Sequence, residues 1–306
     1  RLAVDNLVLD GNTITSTPLA LSVTTVADSG KITQSTNGGN EGTFDVKQMS
    51  SPNGDALVDV HCIDFFNCFA VGESGLIMKT TDSGNTWLTQ KSGVVNLLFG
   101  VHMFSLSIIS AVGSDGTVLR SNDYGVSWVE QSTPVSVQLN SVWMTSATEV
   151  TVVGNAGVIL RTVDAGATWS TVSSPSGVVN LNDVVFSSES QGIAVGRSGT
   201  IMTTVDSGAS WVLVPSKYIP ESARSADLRS IDMVALNFGV AVGYGGVIIK
   251  TTLAGLSWED VQLPTDITSA YNFHGVSMSR CPYDWDTTCE RLAIAVGAGV
   301  TLRSSS

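Results

Sequence analysis

Two histidines stand at equivalent points of a repeated pattern and are the residues best placed for metal chemistry. His61 and His102 occupy the same position in two predicted strands of adjacent repeats. Imidazole and carboxylate groups are common metal ligands, so a metal site at this pair is one hypothesis. The simpler interpretation is that both side chains line a central channel and bind water. Because no local cluster has metal-ligand spacing, we predict no metal and no cofactor.

Three aspartates on predicted strands are candidates for acid–base chemistry. Glycoside cleavage needs two carboxylates that flank the scissile bond. Asp59, Asp183 and Asp232 lie on comparable strands, but nothing in the sequence selects a pair. No serine elbow, phosphate-binding loop or dinucleotide fingerprint is visible. A carbohydrate-binding or glycoside-hydrolase protein therefore remains the alternative function.

The four cysteines fall into two close pairs and allow three pairings. Neither pair has the spacing of a zinc ribbon or a thioredoxin-like site. We predict the local disulfides Cys62–Cys68 and Cys281–Cys289, each adding roughly 2 kcal/mol by closing a short loop. Disulfides imply the extracellular space, the periplasm or an organelle lumen. The alternative is four buried thiols in a cytosolic protein.

The overall charge restricts the possible partners. The 306 residues carry a net charge of −12, which disfavours nucleic acid and anionic membranes as main partners. No stretch approaches the ~18 apolar residues of a membrane-spanning helix. We therefore predict no nucleic-acid binding and no membrane insertion.

An internal repeat dominates the sequence. The segment from Gly72 to Trp87 recurs four more times in full. A diverged copy lies at Ala27–Phe44, and a truncated copy begins at Gly297. A period of ~40–45 residues is typical of one four-stranded propeller blade. The sequence thus predicts an all-β, seven-bladed β-propeller of four-stranded antiparallel blades. The full copies are Gly113–Trp128, Gly154–Trp169, Gly196–Trp211 and Gly243–Trp258.

We predict that residues 1–306 form one propeller domain. We letter the four strands of each unit a to d in chain order. The last unit has strands a, b and c but no d, and the N-terminal segment 2–9 supplies a spare apolar strand. We expect that segment to pair with the last c strand and close the ring, which hides a sheet edge. Numbered 1 to 7, the units span about 12–50, 56–92, 96–133, 137–175, 179–216, 226–264 and 270–306.

Each complete unit carries a short motif before strand d, which we call the box and which is residues 80–87 in unit 2. In unit 2 we expect Asp82 to accept hydrogen bonds from backbone N–H groups one or two residues further on. Gly84 should supply a positive φ, and Trp87 should pack between neighbouring blades. Unit 6 has Leu253 in place of the aspartate. The structural box residues are Asp82, Asp123, Asp164, Asp206, Trp87, Trp128, Trp169, Trp211 and Trp258.

This pattern resembles the Asp-box, or BNR, repeat, and the resemblance covers nearly the whole chain. Such repeats occur in sialidases, sortilin-type receptors and the photosystem II stability/assembly factor family, to which the box and its preceding strands are most similar. In these families the box is a folding device without chemistry. Similarity to the assembly factors implies a thylakoid-lumen protein that docks a reaction-centre subunit. A secreted scaffold or filament component fits the cysteines and the low charge equally well.

A sialidase resemblance would imply three arginines around a carboxylate and a tyrosine nucleophile. Arg120, Arg161 and Arg303 share one repeat position, so the repeat accounts for them, and no tyrosine lies at a matching place on an inner strand. We therefore predict that the chain is not an enzyme. It should bind a protein partner, with a glycan as a further possibility.

The same repeat position is basic in five units. Lys79, Arg120, Arg161, Lys250 and Arg303 could form a docking ring for an acidic protein segment or a glycan. Alternatively, each is a strand-end charge that folds over the box or pairs with a nearby carboxylate.

Two departures from the repeat are the other candidate contact surfaces. The stretch Pro215–Leu228 lengthens the link between units 5 and 6 and carries Tyr218 and Arg224. The Cys281–Cys289 loop of unit 7 carries Tyr283 and Trp285 and could instead fold on itself. Both predicted disulfides clip a–b turns on the face of the boxes. The Pro215–Leu228 insertion should lie on the opposite face.

Overall fold

The computed structural model describes residues 2–3, 23–24, 54–64, 66–263, 271–278, 293–297 and 300–304. Over these ranges the chain forms six antiparallel sheets, five with four strands and one with five. Within units 2 to 6 the strands run in sequence order, so strand a pairs with b, b with c and c with d, whereas in unit 7 the N-terminal strand Leu2–Ala3 pairs with strand c. Within the described ranges, no helix has the length and apolar character needed to cross a membrane.

The central strands consist of small and β-branched residues because neighbouring sheets cover both of their faces. Strand b of units 2 to 6 is buried along its whole length. Strand a mixes buried and half-buried residues, whereas strand d is mostly exposed. Strand a is therefore an inner strand, and strand d is the outer edge of each sheet.

The strand bounds repeat closely from unit to unit. Unit 2 has Leu57–Cys62, Cys68–Gly72, Ile77–Thr80 and Leu88–Gln90. Unit 3 has Leu98–Met103, Ile109–Gly113, Val118–Ser121 and Val129–Glu130. Unit 4 has Leu139–Met144, Val150–Gly154, Ile159–Thr162 and Ser170–Val172. Unit 5 has Leu181–Phe186, Gly192–Gly196, Ile201–Thr204 and Val212–Leu213. Unit 6 has Leu228–Met233, Gly239–Gly243, Ile248–Thr251 and Glu259–Asp260. Unit 7 has Phe273–Met278, Ala293–Gly297 and Val300–Ser304.

Short 3₁₀ turns connect strands b and c in units 2 to 4, namely Glu73–Gly75, Ser114–Gly116 and Asn155–Gly157. Gly75 has φ +70°, and a β-carbon on it would collide with the carbonyl oxygen of Val94 in the following link. Glycine is therefore required here for both conformation and space. Two further 3₁₀ turns, Ser216–Tyr218 and Glu221–Ala223, lie in the link between units 5 and 6.

The core lies in the seams between consecutive sheets. Each inner strand from unit 2 to unit 7 contacts the inner strand of the next unit. The box tryptophans fill these seams, as Trp128 does where it packs edge-on against Phe69 of unit 2, with ring centroids 5.9 Å apart. Trp258 likewise belongs to a cluster that joins units 5 and 6. The tryptophans of units 3 to 6 thus fasten their own sheets to the preceding ones; they are Trp128, Trp169, Trp211 and Trp258.

The predicted all-β class and the four-stranded antiparallel sheets are confirmed. Of the segment 2–9, Leu2–Ala3 is described, and it pairs antiparallel with Arg303 and Ser304. Of unit 1, only Val23–Thr24 is described, and it pairs with strand a of unit 2 at Val60 and Asp59. The count of seven blades and the unit boundaries stay predictions, as does the predicted Cys281–Cys289 disulfide, which lies outside the described residues.

Candidate interaction surfaces

The Asp box is a closed hydrogen-bond network around one carboxylate. The Oδ1 atom of Asp82 accepts bonds from the Thr80 hydroxyl at 2.8 Å and from the backbone N–H of Thr86 at 2.8 Å. The Thr86 hydroxyl donates to Oδ2 at 2.7 Å. The Thr80 hydroxyl accepts the backbone N–H of Gly84 at 2.9 Å. One carboxylate and two hydroxyls thereby fix the whole turn.

The predicted partners of the box aspartate were wrong in one respect. Asp82 bonds the N–H of the residue four positions on, whereas we expected a partner one or two positions on. The cause is that Ser83 and Gly84 both have positive φ, 61° and 73°, and the Thr80 hydroxyl takes the intervening N–H of Gly84. The positive φ predicted for Gly84 is present.

The network recurs in units 3, 4 and 5 around Asp123, Asp164 and Asp206. Hydrogen bonds to the charged form hold the pKa of these exposed carboxyls below the usual range, and that of Asp164 at about 2. Unit 6 keeps the turn without the carboxylate, because the Thr251 hydroxyl accepts the N–H of Gly255 at 3.0 Å. The four boxes with aspartates therefore remain negatively charged at all physiological pH values.

The boxes and the a–b turns form one face, as predicted. In each of units 2 to 6 the residue after the box aspartate position donates its N–H to a carbonyl of the a–b turn, for example Ser83 to Phe66 at 3.2 Å. The Cys62–Cys68 disulfide joins strands a and b at the same end of unit 2. We call this surface, made of the boxes and the a–b turns, the box face. The b–c turns and the d–a links lie at the opposite ends of the strands.

Two basic residues of the repeat position bond the box of the next unit. Lys79 Nζ donates to the carbonyl of Tyr124 at 2.8 Å, and Arg161 Nε donates to the carbonyl of Ser207 at 2.8 Å. Tyr124 and Ser207 occupy the same box position in units 3 and 5. Arg161 also pairs with Glu149 at 3.2 Å. These cations therefore serve as links between units.

Arg120 and Lys250 have different surroundings. The Arg120 residue is 4% exposed and donates to the carbonyl of Ala147 at 2.6 Å and to the Asn122 side chain at 3.0 Å. Burial lowers the pKa of its guanidinium. A side chain held inside the protein leaves little surface for the docking ring that we predicted. Lys250 is more exposed, and its Nζ atom lies 3.8 Å from the Glu259 carboxylate. The structure describes the backbone of Arg303 but not its side chain.

The predicted contact residues Tyr218 and Arg224 lie on the Pro215–Leu228 insertion. Its Ile219 and Ala223 side chains are buried in the seam between units 5 and 6. The Arg224 Nε atom donates to the carbonyls of Ser216 and Ile219 and so closes the insertion on itself. Tyr218 is 44% exposed, with Lys217 Nζ 4.8 Å from its ring centroid. Tyr283 and Trp285 lie outside the described residues.

The predicted position of this insertion was only partly right. Gly199 lies in a b–c turn and donates its N–H to the carbonyl of Ala226. This part of the insertion therefore lies at the b–c turn end of the strands, as we expected. However, the N–H of Trp258, at the box end of strand d, donates to Tyr218, and Ser222 bonds Asp260. The insertion runs down the outer edge because strand d of unit 6 has unpaired backbone groups there.

The structure adds Arg197, which the sequence did not single out, to the basic residues that the sequence already placed at this insertion. Arg197 and Arg229 flank Asp227 at 3.5 and 3.7 Å, and the Arg229 guanidinium lies 5.2 Å from the ring centroid of Tyr244. The signal was present, since Arg197 occupies a b–c turn position that is Glu73, Ser114 or Asn155 in other units. We call Arg197, Lys217, Tyr218, Arg224 and Arg229 the basic seam.

The inner-strand aspartates hold neighbouring sheets together. Asp59 accepts the N–H of Val101 at 2.8 Å, and Asp183 accepts that of Ile231 at 3.0 Å, in each case from the next unit. Asp232 does the same for Met278 at 2.8 Å. Burial by the surrounding protein raises the pKa of Asp59, to about 8, and that of Asp183. All three carboxyl groups thus accept backbone N–H groups of the neighbouring sheet.

The histidine pair belongs to an aromatic stack rather than to a metal cluster. The rings of His61, His102 and Trp143 follow one another with centroids 4.3 Å apart. The Nδ1 atom of His61 accepts the N–H of Met103 at 3.2 Å, so the ring proton is on Nε2. That arrangement disfavours a metal at Nε2. In the described part of the chain, no three His, Cys, Asp or Glu residues are grouped to hold a metal.

Comparison with known proteins found structures with a similar fold and one family model that matches part of the chain. The family model described as photosynthesis system II assembly factor YCF48 matches residues 176–272. The structure of YCF48 from Cyanidioschyzon merolae is similar at a TM-score of 0.70, with 13% identity over 99% of this chain and 97% of that one. No curated protein matches.

Other solved structures share the architecture. A streptogramin B lyase is similar at a TM-score of 0.79, with 12% identity over 100% of this chain and 98% of that one. The WD40 β-propeller domain of Doa1 is similar at 0.65, with 12% identity over 100% and 97%. Identities this low indicate the fold alone. The chain therefore has a BNR-repeat β-propeller fold like that of the photosystem II assembly factors.

Proposed function

We propose that this chain is a non-enzymatic, protein-binding propeller that acts as an assembly factor or scaffold and holds an acidic segment of its partner on the basic seam. In this proposal seven blades close the ring, with unit 1, about 12–50, as the remaining blade. The compartment is an oxidising one, either an organelle lumen or the outside of the cell. The Cys62–Cys68 disulfide supports that location.

The observation that carries the proposal is where the positive charge lies. The described residues include ten lysines and arginines, and four of them, Arg197, Lys217, Arg224 and Arg229, fall in the basic seam. The same four residues lie inside the 176–272 segment that matches the assembly-factor model. On a chain with a net charge of −12, such a concentration favours a local anionic partner.

The basic seam has the properties of a contact surface. The Arg197 side chain is 57% exposed, and only one carboxylate, Asp227, pairs with both Arg197 and Arg229. The seam also contains Tyr218, a rigid aromatic residue with a cation against its ring. Arginine and tyrosine are enriched at the centres of protein interfaces, and arginine binds carboxylates in a two-pronged geometry. An extended acidic peptide fits these groups.

The proposal is tested by binding of a fluorescein-labelled peptide rich in Glu and Tyr, measured by fluorescence anisotropy. We expect the R197E/K217E double variant to weaken binding by ~10-fold or more, because two attractive charges become repulsive. The matched control is K91E, an exposed lysine after strand d of unit 2. Equal loss in K91E, or full binding by R197E/K217E, would contradict the assigned surface.

A further inference from the structure

The box face carries apolar side chains at its outermost turns. In units 3 to 6, the box residues Tyr124, Val126, Val163, Val205, Leu253 and Leu256 are 54 to 74% exposed. Soluble proteins rarely place many large apolar side chains together on the surface unless they bind something there. The network itself uses the aspartate, the hydroxyls and the glycine, and the side chains of Tyr124, Val126, Val163 and Val205 take no part in it. Folding of the box therefore does not explain the apolar residues.

The turns that carry these side chains are connected to one another by hydrogen bonds. The a–b turn of each unit bonds its own box, and cross-unit bonds join consecutive boxes: Lys79 to Tyr124, Gln131 to Ala165 and Arg161 to Ser207. Ala165 and Ser207 are each preceded by a box aspartate, and those aspartates by Val163 and Val205. The exposed apolar groups are thus held in a fixed arc by hydrogen bonds beneath them.

The charge of this arc is negative. The box carboxylates of Asp123, Asp164 and Asp206 stand between the apolar side chains, and Glu189 adds another exposed carboxylate from an a–b turn. Of the cations in this region, Lys79 and Arg161 donate to backbone carbonyls, whereas Lys250 is 40% exposed and lies 3.8 Å from Glu259. The exposed groups of the arc are therefore mainly carboxylates and hydrocarbon, with Lys250 beside Glu259 in unit 6.

We propose that the box face is a second docking surface, and that its occupant is a partner segment in which basic residues alternate with large apolar residues. Lysine or arginine would lie beside the box carboxylates, while the apolar residues would cover the exposed valines and leucines. Such a partner is opposite in charge to the one proposed for the basic seam. The molecule then bridges two partners of opposite charge on different parts of its surface.

The test uses the whole chain and a fluorescein-labelled peptide of alternating Lys and Leu, with a Glu/Leu peptide as the charge control. V163K/V205K places two positive charges on the box face. V95K/V178K makes the same change at two valines, 85% and 82% exposed, in d–a links away from the boxes. V163T/V205T removes hydrocarbon without adding charge. Thermal unfolding of each variant checks that the fold is intact.

We expect V163K/V205K to weaken binding of the Lys/Leu peptide by ~10-fold, V163T/V205T to weaken it less, and V95K/V178K to change it by less than ~2-fold. Binding should weaken between ~0.05 M and ~0.5 M salt. The R197E/K217E variant should bind this peptide as the unmodified chain does, which separates the outcome from the basic-seam proposal.

Three results would overturn the second docking surface. The first is equal loss in V95K/V178K and V163K/V205K, and the second is equally tight binding of the Glu/Leu peptide. The third is self-association of the chain that V163K/V205K abolishes in sedimentation velocity, because the occupant would then be a second copy of the chain.

Discussion

Gly125 of the unit 3 box lies directly against the ring of Phe69 in unit 2, with no room for a β-carbon. Phe69 is 1% exposed and packs edge-on against Trp128, so it cannot move aside. This contact makes Gly125 part of the seam as well as part of the turn.

Gly125→Ala should therefore destabilise the fold by ~2–4 kcal/mol, from the clash together with the strain of a positive φ. Gly177→Ala isolates the strain, because Gly177 has φ +69° and no atom within 4 Å of its missing β-carbon. Gly177→Ala should lower the free energy of unfolding by about 1 kcal/mol. Urea unfolding measures both, and equal costs would show that the contact with Phe69 is not tight.

Replacing Asp164 by alanine should remove part of the acid sensitivity of the protein. The box lowers the pKa of Asp164 to about 2, so its stabilising effect is complete above the ordinary carboxyl pKa near 4. It is lost as the pH falls from about 4 to about 2. The variant should be less stable than the unmodified chain at pH 7 and should lose less stability below pH 4. A constant difference across that range would contradict this reasoning.

Asp59→Asn should have the opposite dependence on pH. Burial raises the pKa of Asp59 to about 8, so the folded state keeps a proton that the unfolded chain releases near pH 4. Stability due to this group is therefore complete below pH 4 and declines as the pH rises to about 8. Asparagine still offers an oxygen to the N–H of Val101. We expect the variant to gain stability relative to the unmodified chain between pH 5 and pH 8.5, measured by urea unfolding.

Asp183 provides a check on that result. Its pKa is also raised by burial, so some decline with rising pH should remain in the Asp59→Asn variant. The exposed turn residue Asp115 is a suitable control, and Asp115→Asn should keep the slope of the unmodified chain. A slope unaffected by Asp59→Asn would mean that this carboxyl titrates normally.

Arg161→Met should weaken the link between units 4 and 5 by about 1–2 kcal/mol, because the carbonyl of Ser207 loses its charged donor. Lys250→Met is the matched change at the same repeat position, where the cation is 40% exposed and 3.8 Å from its partner. We expect Lys250→Met to lower the free energy of unfolding by only about 0–0.5 kcal/mol. Equal effects in thermal unfolding would argue that Arg161 acts only as a surface charge.

The repeat made most of the architecture predictable. Runs such as Val150–Gly154 are short and apolar, so they can only be buried strands, and the Asp–Gly–Trp spacing marks each turn and seam. The Cys62–Cys68 disulfide followed from local spacing. These features depend on neighbouring residues, which a sequence displays directly.

The details that sequence could not give depend on contacts between distant residues. The partner of Asp82 four residues on requires two consecutive positive φ angles, one of them at Ser83, which no local rule predicts. Similarly, Arg120 and Arg161 share a repeat position, yet only Arg120 is buried, because Gln131 bonds the next box in its place. The basic seam unites Arg197 with residues about 20–30 positions later, which only the folded chain brings together.

The most direct test of the protein-binding function is site-specific photo-crosslinking in the native source of the protein. A benzophenone amino acid would replace Tyr218 in the basic seam, and Val178, on a distant exposed link, in the control. We predict that position 218 crosslinks to an acidic segment of one partner protein and that position 178 does not. Crosslinking at neither position, or equally at both, would contradict a partner bound at the basic seam.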